Sequence, residues 1–404
     1  MMMRDKVISA FETRFTCQPT IVVRAPGRVN LLGGHTDYND GHVLPVAVDR
    51  AAWVAAAPIA AREARVRALD LGGDAIFPLD VIPLSDGGWA DYPRGVAWAL
   101  QERGLKLVGM EAVLTSDVPV GAGLSSSAAV EVAFAYAWQQ LSGFQLDRRD
   151  LALVCRRAEN DYVGVNCGIM DQMTSVLGME GHALWLDCRT LEVRPVPLPT
   201  GIAIVVADTG VRRRLSTSEY NVRRSQCEQA VRLLSDHLAG IRALRDVSLD
   251  DLKRLRAHVP EVIYQRALHV VTAQMRVSLA TAALRRGDVF TVGALMKACH
   301  ASLRDYYEVS SPELDALAGA ACGVEGCYGA RLTGAGFGGC IVALVATDAV
   351  PDFEAHVSAA YEAAFGRQPT IYVCHSADGA ICQSFSTNYP ITTGITTGRL
   401  LVSR

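Results

Sequence analysis

Residues 25–45 read Ala-Pro-Gly-Arg-Val-Asn-Leu-Leu-Gly-Gly-His-Thr-Asp-Tyr-Asn-Asp-Gly-His-Val-Leu-Pro. The stretch places basic, acidic, amide and imidazole side chains beside four glycines. Residues 20–24 before it and 43–50 at its end have the composition of strands. This combination favours a ligand-facing loop between two strands. The residue types alone also allow a solvated polar turn.

The chain has 404 residues, which is more than one hydrophobic core usually supports, so we expect two domains. Half of the residues are apolar, a fifth are charged, and the net charge is −3. This balance is typical of a soluble globular protein and gives no basis for binding nucleic acid or an anionic membrane. The expected partner is a small molecule.

The N-terminal segment and the cysteines indicate a cytoplasmic protein. Charges in residues 1–15 are too closely spaced for the apolar part of a signal peptide and favour an amphipathic helix. No apolar run reaches the roughly 18 residues that a membrane span needs. Eleven cysteines without a CxxC pair predict reduced, mostly buried thiols. Cys322 and Cys327 are the one close pair whose spacing could also suit a metal.

A second glycine-rich stretch favours phosphate binding. A strand at 110–115 leads into Gly121, Gly123 and a serine run at 125–127, and an alanine-rich helix follows. Glycines let the backbone approach an anion, and a helix N-terminus offers unpaired N–H groups and a positive dipole end. No lysine follows the glycines, so the motif is not a P-loop. A serine-capped helix without a ligand is the alternative.

Two further features are candidates for chemistry. Asp171 falls in the first turn of a helix predicted at 169–177, where it is either a catalytic base or a charge that stabilises the helix. Gly334, Gly336 and Gly339 formally satisfy GxGxxG, but a strand follows them in place of the helix of a dinucleotide fold. We interpret the stretch as a glycine-rich hairpin loop close to a ligand, and a plain hairpin is the alternative.

The pattern of predicted strands and helices changes near residue 190, where we place a domain junction. The first predicted domain is 1–190 and the second is 191–404, with an extended tail after about residue 381. Residues 375–404 are rich in Thr, Ser and Gly, which predicts an extended or partly disordered segment.

Taken together, the glycine-rich stretches in this order resemble the GHMP kinases. The signature in residues 27–39 narrows the resemblance to the galactokinase family, and so do the segments 167–172, 218–224 and 302–310. The resemblance extends to about residue 381. It implies an α+β, two-domain GHMP kinase fold with mixed β-sheets covered by helices and the active site between the domains.

The resemblance also implies an activity and its residues. The expected reaction is the ATP-dependent, Mg²⁺-dependent phosphorylation of the anomeric hydroxyl of α-D-galactose to galactose 1-phosphate, by which galactose enters the Leloir pathway, carried out by a cytoplasmic monomer. Asp171 would be the catalytic base and Arg28 would steady it and the transferring phosphate. The sugar would contact Gly34, His35, Thr36, Asp37 and Tyr220. The ATP phosphates would contact Gly121, Ala122, Gly123, Leu124, Ser125, Ser126, Ser127, Gly334 and Gly336. Mg²⁺ would be held by Ser127 and Glu159.

Gly34 departs from the family pattern. Galactokinases usually carry Glu there, and in the family that Glu contacts the C6 hydroxyl of galactose. Either a neighbour such as Asp40 or a water replaces the contact, or the preferred sugar lacks that group. L-Arabinose is galactose without its C6 hydroxymethyl, and the similar plant L-arabinose kinases also show a Gly-Gly pair here. A non-catalytic galactose and ATP sensor is a third reading, and the unbroken serine loop at 123–129 argues against it.

Overall fold

The computed structural model describes residues 2–212 and 216–385. The strands that it contains are β1 (Ile21–Asn30), β2 (His42–Val43), β3 (Pro45–Ile59), β4 (Glu63–Ala68), β5 (Gly73–Pro78), β6 (Gly109–Ser116), β7 (His182–Asp187), β8 (Val193–Pro197), β9 (Ile202–Asp208), β10 (Cys327–Thr333), β11 (Cys340–Ala346), β12 (Thr370–Cys374) and β13 (Ile381–Ser384). The α-helices are α1 (Met3–Phe15), α2 (Asp91–Glu102), α3 (Ser126–Ser142), α4 (Arg148–Arg157), α5 (Met170–Leu177), α6 (Ser216–Ser235), α7 (Leu249–Arg254), α8 (Glu261–Arg285), α9 (Val289–Asp305), α10 (Pro312–Cys322) and α11 (Val350–Phe365).

The first sheet has the strand order β13-β1-β3-β6-β4-β5 and is mixed, because β4 runs parallel to β6 while the other neighbours are antiparallel. Helix α3 packs on β1 and β3 and is itself surrounded by α2, α4 and α5. Its sequence is alanine-rich and apolar on all sides, as expected for a helix in the middle of a core. Helix α1 covers the other face through Val7 and Phe11.

Strand β1 delivers the signature stretch to the site. It continues to Asn30, whereas the sequence predicted a loop from Ala25 onward. The pairing of β1 with β3 shifts in register between Pro26 and Arg28, so a bulge accommodates the proline and glycine that suggested a break. The Arg28 amide then donates to the Leu124 carbonyl at 3.0 Å, which joins the strand to the serine loop.

The second sheet has the order β10-β11-β9-β12 and is packed against α9, α10 and α11. The hairpin of β10 and β11 holds the glycine-rich loop 334–339, as predicted. A small third sheet, β2-β7-β8, lies near residue 190. The two larger sheets meet through their glycine loops: a Cβ at Gly334 would lie 3.0 Å from the Cα of Gly123.

The α+β fold with mixed sheets covered by helices is therefore confirmed, with local corrections. Residues 43–50, predicted as one strand, are divided between β2 and β3, and β3 continues to Ile59. Residues 381–384, assigned to the extended tail, form edge strand β13 against β1. The remainder of that predicted tail, from residue 386, lies outside the described residues. No helix in the ranges that the structure describes is both long and apolar enough to cross a bilayer.

Candidate active site

An arginine–carboxylate pair joins β1 to the start of α5. Arg28 donates from Nε to Oδ1 of Asp171 at 2.7 Å and from Nη2 to Oδ2 at 2.6 Å. Its Nη1 donates to the Gly123 carbonyl at 2.5 Å. The side chain of Arg28 is buried, while that of Asp171 is 23% exposed. A bidentate pair of this kind fixes the carboxylate in one orientation and leaves one edge of it accessible.

The serine loop reaches the same carboxylate. Ser125 precedes α3 with a φ of +61° and makes no capping hydrogen bond to the helix. Its hydroxyl donates to Oδ2 of Asp171 instead. Gly121 and Gly123 also have positive φ values, which allow the tight turn before the helix. Ser125 is therefore not an ordinary helix cap, because its side chain binds Asp171. The first amides of α3 lie beside the same carboxylate.

A buried acidic cluster lies beside the serine loop. Glu159, in a π-helical turn after α4, lies near the Ser127 hydroxyl and accepts a hydrogen bond from Nε2 of Gln172 at 2.6 Å. Gln172 also donates to Oε2 of Glu131 at 3.1 Å, and the other oxygen of Glu131 has no hydrogen-bond partner in the described ranges. Burial raises the pKa of both carboxyl groups, and their mutual repulsion adds to the shift of Glu131. Glu131 could not be identified as a site residue from the sequence, because it lies in a helix that is otherwise mainly apolar.

His35 joins the signature stretch to the glycine hairpin. Its Nε2 lies 3.1 Å from the Ala335 carbonyl, and its Nδ1 lies 2.9 Å from the Tyr38 hydroxyl. Burial lowers the pKa of His35 to about 3, so the ring is neutral at physiological pH. A carbonyl can only accept, so Nε2 carries the proton and Nδ1 accepts from Tyr38. The φ of +60° at His35 is held by these contacts.

These elements enclose a cavity of about 190 Å³ between the first and second sheets. The structure brings most of the predicted sugar and catalytic residues to its wall, namely Arg28, Gly34, His35, Asp37, Asp171 and Tyr220, together with Glu159 and Gly334. The lining residues that the sequence did not indicate are Asn30, Val165, Cys167, Met170, Arg331 and Ala335.

Three predicted residues take other positions. Thr36 does not line the cavity, because its buried hydroxyl lies 2.8 Å from the carbonyl oxygens of Gly33 and His42 and stabilises the turn. Gly336 packs under the hairpin, where a Cβ would clash with the Val309 carbonyl. Asp40, the suggested substitute for the usual Glu, instead accepts from Arg189 at 3.0 Å and is not among the cavity residues.

A second cavity of about 320 Å³ opens on the other side of the serine loop. Ser126 and Ser127 line one end of it. Its other walls are mostly apolar and include Leu71, Trp89, Leu114, Val118, Val120 and Val130. The sequence did not reveal this cavity, since its residues come from segments that are distant along the chain. A flat aromatic ligand with an anionic group at the serine end would suit it.

Comparison with known proteins agrees with this geometry. The family description for the GHMP kinases N terminal domain matches residues 91–179, the galactokinase galactose-binding signature matches residues 9–58, and the GHMP kinases C terminal description matches residues 280–363. The chain is 51% identical to the galactokinase of Roseiflexus sp. strain RS-1, over 91% of this chain and 94% of that protein. It is 48% identical to the galactokinase of Chloroflexus aggregans, over 93% and 97% of the two chains.

Solved structures show the same fold. The galactokinase of Lactococcus lactis complexed with galactose superimposes with a TM-score of 0.89 at 33% identity, covering 93% of this chain and 98% of that one. The mevalonate kinase of Methanococcus jannaschii shares the fold alone, with a TM-score of 0.63 at 16% identity over 88% and 98% of the two chains. The chain belongs to the galactokinase family of GHMP kinases.

Proposed function

We propose that this protein transfers the γ-phosphate of ATP to the anomeric hydroxyl of α-D-galactose, giving galactose 1-phosphate and ADP. The observation that carries the proposal is the accessible Asp171 carboxylate, held by Arg28 and Ser125 at the point where the enclosed cavity meets the serine loop. The likeness to the galactose-bound Lactococcus lactis enzyme supports galactose as the occupant of that cavity.

In this mechanism Asp171 accepts the proton of the anomeric hydroxyl as the oxygen attacks phosphorus. Arg28 and Ser125 hold the carboxylate in place, so the base acts by orientation. The Arg28 guanidinium lies within reach of the Gly123 carbonyl and is therefore also beside the phosphate loop, where its charge opposes the charge of the transferring group. Phosphoryl transfer needs positioning and charge neutralisation more than covalent participation, which these residues supply.

The serine loop would bind the nucleotide. The amides that open α3, together with Gly121 and Gly123, suit the ATP phosphates, since a helix N-terminus attracts anions. The second cavity begins at Ser126 and Ser127 and continues between apolar walls that include Trp89. We assign this cavity to the adenine ring.

Ser127 and Glu159 are the residues that would hold Mg²⁺. The hydroxyl of Ser127 lies near the carboxylate of Glu159, and both groups are hard oxygen ligands of the kind that Mg²⁺ takes. The neighbouring Glu131 has an unpartnered oxygen, and two adjacent buried carboxyl groups with raised pKa values favour a cation nearby. When bound, Mg²⁺ would neutralise phosphate charge.

The sugar would be bound by neutral and acidic groups on the cavity wall. His35 is held as a neutral ring, and Tyr220 lies 5.6 Å from it between ring centres. Burial is the main cause that raises the pKa of Asp37 to about 6, and the negative charge of Asp171 raises it further. Asp37 is therefore a hydroxyl acceptor whose charge depends on pH near neutrality.

The pKa of Asp37 predicts that kcat/KM for the sugar decreases on the acid side of its pH profile. As the pH falls through about 6, Asp37 is protonated and loses its charge-assisted hydrogen bond to a sugar hydroxyl. We expect kcat/KM for galactose to fall by up to about tenfold from this cause, while the KM for ATP changes little. The measurement is a pH profile of kcat/KM for wild type and for Asp37→Asn, which should be less efficient at pH 7.5 and lack this limb. Identical acid limbs in the two proteins would contradict the assignment.

A sugar panel with Mg-ATP, scored by ADP release, tests the function. We expect turnover with galactose, and a higher kcat/KM than with L-arabinose. The substitution of Glu by Gly34 favours the alternative, an L-arabinose 1-kinase, and equal or higher efficiency on L-arabinose would establish it. No turnover of any sugar at saturating Mg-ATP would support a non-catalytic galactose and ATP sensor.

We also propose that the enzyme works as a cytoplasmic monomer whose partners are the sugar and ATP, without nucleic acid or membrane. Support for a reducing compartment comes from the cysteines, since none of the eleven is paired in a disulfide. The net charge of −3 supports the absence of polyanionic partners.

A further inference from the structure

Arg331 brings a fully buried guanidinium to the wall of the sugar cavity. It lies in β10, and two of its three nitrogens are fixed by carbonyl oxygens: Nε donates to Leu332 at 2.7 Å and Nη1 donates to Leu31 at 3.3 Å. The third nitrogen, Nη2, is buried and has no hydrogen-bond partner among residues 2–212 and 216–385. Arg331 is among the residues that line the cavity.

The guanidinium charge of Arg331 has no counter-charge beside it in the described part of the chain. Among residues 2–212 and 216–385, no carboxylate lies within ion-pair distance of Arg331. Burial lowers the pKa of the guanidinium, as expected for an isolated cation. An unpartnered donor on a buried charge is costly, so a ligand that supplies an acceptor is strongly favoured there.

Nη2 of Arg331 packs directly against Gly34. A Cβ at this position would lie 2.7 Å from Nη2 of Arg331, so any side chain at position 34 would meet the guanidinium. The backbone of Gly34 is itself fixed, because Nε2 of His269 lies 3.1 Å from its carbonyl oxygen. The absence of a side chain at Gly34 therefore leaves the place that Nη2 of Arg331 occupies.

A second unpartnered atom lines the same cavity. Oδ1 of Asn30 is buried and accepts no hydrogen bond from the residues that the structure describes. The backbone N–H of Asn30 lies 3.4 Å from the hydroxyl of Thr333, two residues after Arg331. The cavity thus offers a free donor and a free acceptor. A hydroxyl can satisfy both, because it accepts through a lone pair and donates its proton.

We propose that Arg331 determines sugar specificity by donating from Nη2 to the exocyclic oxygen of the hexose, while Oδ1 of Asn30 accepts the proton of that hydroxyl. The inference rests on the proposed function, which places the reacting hydroxyl at the partly exposed Asp171. The exocyclic hydroxymethyl projects beyond the ring and can extend to the fully buried Arg331. The subsite selects a hexose over a pentose without a carboxylate at position 34.

A comparison of galactose with 6-deoxygalactose tests the contact, since the two sugars differ only by this oxygen. In wild type we expect kcat/KM to be about ten- to a hundredfold higher for galactose, the range for a hydrogen bond to a charged group. In Arg331→Met most of that preference should be lost, because kcat/KM falls for galactose only. The fall should come from a higher KM more than from a lower kcat. Efficiency with 6-deoxygalactose should change little.

A matched control and a binding measurement separate this role from a structural one. Arg276 is a second arginine with a buried unpartnered nitrogen, it acts electrostatically on Arg331, and it is not among the cavity residues. Arg276→Met should keep the galactose preference. Arg331→Lys keeps the positive charge on a shorter side chain and should retain part of the galactose preference. This variant provides the test if Arg331→Met folds poorly. Calorimetric binding of both sugars without nucleotide tests the contact independently of turnover.

The outcomes distinguish the two proposals. If wild type phosphorylates galactose but Arg331→Met lowers kcat/KM equally for both sugars, the specificity role is wrong and the kinase function stands. If wild type binds galactose more tightly than 6-deoxygalactose without turnover, the contact stands and the kinase function fails. Equal binding of the two sugars by wild type would overturn the Arg331 inference.

Discussion

Asp171→Asn is expected to lower kcat for galactose phosphorylation by about a hundred- to ten-thousandfold, the range that a general base contributes. Asparagine keeps the shape of the side chain and can still accept from Arg28 through its one oxygen. It cannot take the proton of the anomeric hydroxyl. The loss should therefore lie in kcat more than in KM for galactose.

Nucleotide binding should survive this change. Asp171 is not among the residues of the second cavity, whose lining includes Ser126, Ser127 and mainly apolar side chains. The dissociation constant for ATP, measured by titration, should stay close to that of wild type, and ADP release should report the loss of turnover. Asp161→Asn is a suitable control, because Asp161 lies ten residues earlier with a side chain that is 56% exposed and paired only with Arg157. Retention of a large fraction of wild-type kcat by Asp171→Asn would remove Asp171 from its role.

The parts of this site that lie in short motifs could be predicted from the sequence. Glycines at 121 and 123 followed by serines favour a phosphate-binding turn, because the backbone requirement is local, and a serine-capped helix without a ligand is the one alternative. The pairing of Arg28 with Asp171 across 143 residues came only from resemblance to a family, since nothing local links the two positions. The alternation of strand and loop residues was less informative. Pro26 and Gly27 look like the end of a strand, but a bulge carries β1 past them.

The features that could not be predicted from the sequence are buried polar atoms without a hydrogen-bond partner. Arg331 and Asn30 are 301 positions apart, and each matters because one of its atoms lacks a partner. That property exists only after the chain has folded. Thr36 shows the opposite error: it lies inside the signature stretch, yet its hydroxyl is directed to backbone carbonyls. Sequence patterns locate a loop, whereas the direction of each side chain within it is set by tertiary contacts.

Arg28→Met is the second change expected to have a large effect, and it should affect both stability and turnover. Removing one partner of a buried ion pair costs about 3–5 kcal/mol, because the other charge is left without compensation. The 23% exposure of Asp171 places the loss toward the lower end of that range. Turnover should fall about a thousandfold or more, as when an arginine that stabilises a transferring phosphoryl group is removed.

Arg28→Lys is expected to recover stability more than turnover. A lysine restores the charge beside Asp171, but it cannot form two parallel hydrogen bonds to the carboxylate and a third to the Gly123 carbonyl. Arg24→Met serves as a control on the same strand. Its guanidinium donates to the backbone oxygens of Asp378, Val48 and Asp49, and Arg24 lines neither cavity. Activity per folded molecule should be unchanged in that variant.

The double variant Arg28→Met/Asp171→Asn separates the two effects of Arg28. With Asn at 171 no unpaired charge remains, so the double variant should unfold at a higher denaturant concentration than Arg28→Met alone, while its kcat stays as low as that of either single variant. This non-additivity is the signature of two groups that act as a unit. Additive losses in both stability and kcat would mean that Arg28 and Asp171 act independently, and that the bidentate contact does not orient the base.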